Sequence, residues 1–212
     1  MHADFIRSHT RPLPVPSLPE IGLYQADEVT RLWLMTEAEL SQHNLSPPFW
    51  AFAWAGGQAL ALHLKQHPDL VAGKRVFDLA CGSGLVGIAA ARYGAISVTA
   101  NDIDPFSEAA VALNAALNGV DIAFENGDHL AGPPPEVDVI LAGDICYEKA
   151  MADAMLTFLR AARAKSIAVY VGDPHRSYFP SEGMERVGRY DIATNTEIED
   201  RAVKAASVWR LI

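Results

Sequence analysis

The run Val76-Phe77-Asp78-Leu79-Ala80-Cys81-Gly82-Ser83-Gly84-Leu85-Val86-Gly87 constrains this chain more than any other stretch. A short β-prone segment ends in a carboxylate, passes through a turn of small residues and enters the alanine-rich run Ile88-Ala89-Ala90-Ala91-Arg92. That order predicts a strand, a tight loop and a helix start, the βα unit that cradles a nucleotide. The spacing Gly82-x-Gly84-x-x-Gly87 lets the backbone approach a ligand at a helix N-terminus, where unpaired N–H groups point outward. Asp78 narrows the choice of ligand. A carboxylate at the strand tip repels a pyrophosphate, and the basic pair Lys74 and Arg75 lies at the strand's far end. S-adenosylmethionine (SAM) has no phosphate and carries a sulfonium and an ammonium, so an acidic loop suits it. An NAD-dependent oxidoreductase is disfavoured on the same ground.

Beyond the loop, strand-like and helix-like segments alternate, as in a parallel sheet covered on both faces. Strands are expected at 95–100, 121–125, 137–142 and 166–172, and a helix at 106–118 stops at Gly119. The nearly all-apolar 137–142 segment belongs at the sheet centre. Strands at 190–196 and 205–211 are close enough in sequence to pair antiparallel. Upstream, Pro12, Pro14, Pro16 and Pro19 favour extended, polyproline-like backbone over residues 1–20. Residues 21–27 and 29–35 read as two short strands around a turn, with Thr36 capping a short helix over 36–40. A helix is expected at 57–67. His63 and His67 are four apart on it, but with no Glu between them and no third ligand, no metal is expected.

The strand tips supply the candidate site residues. Asp102 follows Gly84 by 18 residues, which places an acid where it accepts from both ribose hydroxyls of a nucleoside. Asp104, directly before Pro105, reads as a helix cap. Asp128, in Asn126-Gly127-Asp128-His129, can accept the exocyclic amine of an adenine or can simply hold a turn. Gly143-Asp144-Ile145-Cys146-Tyr147 brings a carboxylate and a phenol together at the crevice where open α/β sheets bind ligands. The alternative there is a helix cap beside a half-buried Tyr. His175 and Arg176 face the same edge, either to touch the acceptor or as a solvated loop. In Phe49-Trp50-Ala51-Phe52-Ala53-Trp54, the ring of Trp50 or Trp54 can attract a sulfonium or ammonium, or the rings can plug the core.

Composition excludes several classes. A 212-residue chain that is 50% hydrophobic and 20% charged is expected to be one soluble domain. A net charge of −9 argues against a nucleic-acid partner. Cys81 and Cys146 make no disulfide framework, and no apolar run reaches membrane-spanning length or resembles a signal peptide. A cytoplasmic enzyme with no membrane partner is expected.

Asp-Leu-Ala-Cys-Gly-Ser-Gly at 78–84, Asn-Asp-Ile-Asp-Pro at 101–105 and Gly-Asp-Ile-Cys-Tyr at 143–147 resemble the motifs of class I, seven-strand SAM-dependent methyltransferases. With Phe-Trp-Ala-Phe-Ala-Trp-Ala-Gly-Gly-Gln-Ala-Leu upstream, Gly-Asp-Pro-His-Arg at 172–176 and Ser-Val-Trp at 207–209, the chain is most similar to the group that methylates a lysine on the β subunit of electron transfer flavoprotein. The resemblance covers residues 46–212 and leaves 1–45 as an N-terminal extension packed on the methyltransferase domain. It implies an α/β fold, a Rossmann-like doubly wound seven-stranded sheet that is mostly parallel with a C-terminal antiparallel hairpin. SAM is then the cofactor, bound by the glycine loop with Ala80, Gly82 and Gly84 and by Asp102 on its ribose, to which the residues themselves add Trp54, Asp78, Asp128 and Gly143 as candidate cofactor contacts; electron transfer flavoprotein β subunit is the implied protein partner. Asp144 and Tyr147 are the implied acceptor residues. Ala80 stands where the general motif has its first glycine, so it is expected to have negative φ and room for one methyl.

A lysine acceptor must first lose a proton, which near neutral pH costs about 4 kcal/mol from an unperturbed pKa of about 10.4. Asp144 works against that loss, because a carboxylate beside an ammonium raises its pKa. Its expected role is therefore capture and orientation of the amine, opposed by desolvation and the sulfonium charge, while Tyr147 shapes the channel or accepts a hydrogen bond. A small-molecule N-methyltransferase and a non-catalytic SAM-binding module stay open as alternatives.

Overall fold

The computed structural model describes residues 2–26, 47–194 and 202–212. An N-terminal helix α1 (His2–His9) leads into strands β1 (Arg11–Val15) and β2 (Leu18–Gln25). Then come a 3-10 turn at Phe49–Ala51, helix α2 (Ala55–Gln66), β3 (Arg75–Leu79) and α3 (Leu85–Arg92). The chain continues through β4 (Ser97–Asp102), α4 (Pro105–Asn118), β5 (Ala123–Asn126), β6 (Val139–Gly143) and α5 (Lys149–Ala164). It ends in β7 (Ala168–Asp173), β8 (Met184–Ala193) and β9 (Val203–Leu211). The main sheet has the order β5-β4-β3-β6-β7-β9-β8. Its first five strands are parallel, and β9 runs antiparallel to both β7 and β8. This is the expected doubly wound sheet with its C-terminal hairpin.

Strand alternation divides the core. Val76, Val139 and Leu141 pack with α2 and α3 on one face, while Phe77, Leu79, Ile140 and Ala142 pack with α5 on the other. Helix α2 contacts β6, β7, β8 and β9 and lies beside α3, so it is buried almost all round. Its Gly56 and Gly57 allow that depth. A Cβ at Gly56 would collide with the Gly172 carbonyl on β7 and come within 2.6 Å of Asp144 Oδ2.

The N-terminal region differs from expectation. Residues 2–9 are helical, and the proline-rich run forms a β-hairpin in place of free polyproline backbone. Proline at every second position leaves all the missing N–H groups on one edge of β1, so the other edge can still pair. Pro12 faces Tyr24 and Pro14 faces Gly22, whose N–H groups turn outward to the Asn114 and Asn118 Oδ1 atoms on α4 at 2.7 and 3.0 Å. Asn114 is fully buried and also donates to the Ser83 carbonyl at 2.8 Å, tying the hairpin to the glycine loop. The partner of β2 is therefore the upstream β1. The strand expected at 29–35 and the helix at 36–40 lie outside the described residues. At the other end, β8 begins at Met184, six residues before the expected start, and a register shift between Arg186 and Gly188 absorbs its extra length.

Candidate active site

The C-terminal ends of β4, β3, β6 and β7 lie side by side and deliver the candidate residues to one edge. Gly82 and Gly84 take left-handed backbone, with φ of 52° and 78°. The expectation for Ala80 is overturned: its φ is +52°, so it adopts the glycine conformation with a Cβ in place. That conformation costs about 1–2 kcal/mol for an L-residue, and the Ala80 methyl packs against the Phe77 and Leu79 cluster.

Asp78 shares the face of Val76 and so points beneath α3. It is 1% exposed and accepts the Gly87 N–H at 2.8 Å. A Cβ at Gly87 would lie 3.0 Å from that carboxylate, so the third glycine of the motif sets the helix-to-strand approach. Burial pushes the Asp78 pKa up to about 7; the Gly87 N–H opposes this and the Asp102 charge reinforces it. Asp102 ends β4, accepting from Gly82 N–H at 2.8 Å and Asp104 N–H at 3.0 Å. Asp104 caps α4 through the Phe106 N–H at 2.9 Å, as its position before Pro105 predicts. Asp128 is exposed and holds a turn by accepting the Leu130 N–H at 2.9 Å. Beside it Gly127 has φ 135° and open space where a Cβ would stand.

The other half of the edge is built around Asp144. The residue follows β6 with φ 60° and is 7% exposed. Its Oδ2 accepts the Gly57 N–H at 2.7 Å, serving as an anionic cap for α2, whose own N-cap Trp54 makes no side-chain cap bond. Its Oδ1 accepts Arg176 Nη2 at 2.9 Å. Gly143 packs face to face with Gly57, which a Cβ would approach to 2.9 Å. The Arg176 guanidinium also lies 5.9 Å from the Trp54 ring centroid, and its backbone N–H donates to Asp173 Oδ1 at 2.8 Å. Asp173 is fully buried, its Oδ2 has no hydrogen-bond partner, and burial chiefly, then the Asp144 charge, raises its pKa to about 7.

Aromatic rings line this half. Phe49 contacts both Trp54 (5.9 Å) and Tyr147 (5.4 Å), and Trp54 donates its indole N–H to the Phe49 carbonyl at 2.9 Å. Trp50, the other candidate ring, is 2% exposed and stacks on Phe106, so it belongs to the core. Tyr147 is 40% exposed, and partial burial with the Glu148 charge raises its pKa, so its phenol stays protonated. Burial likewise raises Cys146 to about 12, which leaves an inert thiol. Next to these residues lies a cavity of about 520 Å³, lined by Tyr147, His175, Arg176, Tyr178, Val203 and Lys204 among others.

Sequence reading left the Arg176–Asp144 pair unassigned and passed over Phe49 and Ile103. Ile103 is 70% exposed beside Asp102, an apolar side chain standing open at the tip of β4. The Gly56-Gly57 pair was the available signal that another backbone comes close to α2. His63, buried with its pKa lowered to about 4 by desolvation, bonds to the Tyr190 hydroxyl at 2.8 Å. Among the described residues no group of three His, Cys, Asp or Glu side chains could hold a metal.

A protein-family model described as ribosomal protein L11 methyltransferase (PrmA) matches residues 59–168. An electron transfer flavoprotein beta subunit lysine methyltransferase of Xenopus laevis is 35% identical over 212 residues, spanning 97% of this chain and 85% of the relative. The protein of the same description from Homo sapiens is 33% identical, spanning 97% of this chain and 80% of the relative. Among solved structures, the ribosomal protein L11 methylase of Lactobacillus delbrueckii superposes with a TM-score of 0.52 at 23% identity, covering 74% of this chain and 79% of that one. Magnesium protoporphyrin IX methyltransferase from Synechocystis PCC 6803 gives 0.53 at 18% identity, covering 86% and 88%. Both share the fold.

Proposed function

The chain belongs to the PrmA-type methyltransferases and, through its full-length relatives, to the electron transfer flavoprotein β subunit lysine methyltransferases; on that premise we propose that it methylates a lysine of that β subunit with SAM as donor. The carrying observation is the placement, along one sheet edge, of the glycine loop and the Asp102 carboxylate near a cavity walled by Tyr147 and Tyr178. The residues of that loop fit the cofactor. The charge acting on Asp78 is another carboxylate, Asp102, which also acts on Asp104, so the site disfavours phosphate and favours a cation.

Asp102 would hold the ribose hydroxyls, with its two N–H contacts fixing the carboxylate in place. Asp128 would take the adenine amine, and Ile103 would cover the ring. The backbone of Ala80, Gly82 and Gly84, with Gly143 and Trp54, would border the remainder, and Asp78 would hold the start of α3 in place through the Gly87 N–H. When bound, the cofactor supplies an activated methyl group. The chain's own contribution is orientation of the acceptor in line with that methyl, between the Phe49, Trp54 and Tyr147 rings and the Asp144 carboxylate.

The proposed division puts an N-terminal extension at 1–45 before a methyltransferase domain at 46–212; the packing of its described hairpin on that domain is supported by the Asn114 and Asn118 bonds. A net charge of −9 and two free thiols support a protein partner in a reducing, cytoplasmic setting, without nucleic acid or membrane. Among the described residues no helix is long and apolar enough to cross a membrane. The test is incubation with methyl-labelled SAM and purified electron transfer flavoprotein β subunit, followed by mapping of the label. Label on a lysine is expected. Label that appears only on small molecules of a cell extract would replace this reading with the small-molecule N-methyltransferase.

A further inference from the structure

A lysine acceptor has to arrive with, or be brought to, a free lone pair. The new N–C bond forms with that pair while the C–S bond breaks and its electrons stay on sulfur, so the ammonium proton must already have left for water in the cavity. A bare carboxylate at the acceptor position would hold the ammonium and oppose this step. Asp144 is not bare.

We propose that Arg176 is a positioning residue of the acceptor site: it cancels the Asp144 charge, so that the incoming lysine meets an ion pair and an aromatic wall and is held there as the neutral amine. The inference rests on the lysine reading given above. Arg176 is fixed by three independent contacts: its Nη2 on Asp144 at 2.9 Å, its guanidinium over Trp54 at 5.9 Å and its backbone N–H on Asp173 at 2.8 Å. Its Nε is buried without a partner, so the recorded bond from its head group goes to Asp144. A guanidinium stays charged at any working pH, so the side chain is a permanent positive charge on the cavity wall that also bears Tyr147.

The charged and titratable groups around it come from each neighbouring element. Asp144 follows β6, and Asp173 and His175 follow β7. Lys204 enters from β9, and Glu148 lies next to Tyr147. Among the described residues, Arg176 offsets the Asp144 charge, and burial raises the Asp173 carboxyl to about 7, so that it is only partly ionised near neutral pH. A lysine entering the cavity leaves water for a site where the Arg176 guanidinium offsets the Asp144 carboxylate, and its neutral form is favoured over what Asp144 alone would allow.

The test is the pH profile of kcat on saturating electron transfer flavoprotein β subunit for the wild type, Arg176→Gln, Arg176→Met and Arg176→Lys. Both neutral variants should move the acidic limb upward by about one unit, an approximately tenfold loss of kcat at pH 7 that is regained at high pH. Arg176→Lys should return the limb most of the way. A readout independent of turnover is proton release when the same subunit binds in the presence of demethylated cofactor, measured by calorimetry in two buffers of different ionisation enthalpy. Release should be smaller in the neutral variants. An unmoved limb with a lower KM would make Arg176 a competitor for Asp144, and equal losses at every pH in all three variants would make it merely structural; either result overturns the proposal. Absence of lysine methylation by the wild type would instead sink the lysine reading before any variant is made.

Discussion

The carboxylates on the two halves of the sheet edge are satisfied in opposite ways. On the half proposed for the cofactor, Asp78, Asp102 and Asp104 accept backbone N–H groups at Gly87, Gly82, Asp104 and Phe106, partners 2 to 20 residues away in sequence. On the half proposed for the acceptor, Asp144 is met by Gly57 and Arg176, 87 and 32 residues away, and one oxygen of Asp173 has no hydrogen-bond partner among the described residues. A site held by its own loop keeps its shape as long as the loop does. A site held by long-range pairing can be tuned by any one of the partners, and is lost with any one of them.

Asp144→Ala tests that contrast hardest. Methyl transfer should fall by about a thousandfold or more, because the variant loses the acceptor carboxylate, the α2 cap and the partner of Arg176 together. Affinity for SAM, measured by calorimetry, should stay within about threefold. An equal loss of both would erase the distinction and move Asp144 to the cofactor half.

Next in size is the response of stability to pH, to which each half contributes one buried acid. The pKa values of Asp78 and Asp173 rise to about 7 in the folded chain from 3.8. Below pH 3.8 both are protonated in either state. Between about pH 4 and 7 the unfolded chain ionises while the folded one keeps its protons, so stability falls with rising pH across that window and levels off above it. Relative to wild type, Asp78→Asn and Asp173→Asn should each gain about 2–4 kcal/mol between pH 4 and pH 8 in denaturant midpoints. The opposing contribution of His63, with its pKa lowered to about 4, cancels in that difference. A gain for one residue only would assign the raised acid to that half alone.

Asp102→Ala should weaken SAM binding about 10- to 100-fold while leaving the KM for the protein acceptor unchanged. A raised acceptor KM would couple the halves through the Gly82 turn.

The same contrast explains what the sequence made legible. The parallel strands and the acids at their tips follow from short apolar runs and loop spacing, so Asp102, Asp104 and Asp144 fall where the pattern puts them. Arg176 was in view as a loop residue, but nothing local marks a guanidinium that pairs 32 positions upstream. The hairpin was hidden for a related reason: Pro12 and Pro14 read as strand breakers until β2 and the α4 amides Asn114 and Asn118 supply the other side of each bond. The unexpected φ of Ala80 has the same origin, because the cluster against which its methyl packs is assembled from β3, β6, β7 and α5.

That turn gives the smallest and cleanest comparison. Ala80 and Asp144 both follow a central strand, β3 or β6, in left-handed backbone, with φ of 52° and 60°. Glycine relieves the clash at either position, worth about 1–2 kcal/mol for Ala and less for Asp, which tolerates this region better. Ala80→Gly should therefore raise stability by about 1 kcal/mol after the larger unfolded-state entropy of glycine is subtracted, a rise of about 2–4 °C in Tm, with methyl transfer intact. Asp144→Gly gains a smaller backbone relief and strips the carboxylate from Gly57 and Arg176, so it should lose both stability and activity. If Ala80→Gly gives no gain, the methyl's packing against Leu79 offsets the strain, and the β3 turn depends on a side chain as the β6 turn does.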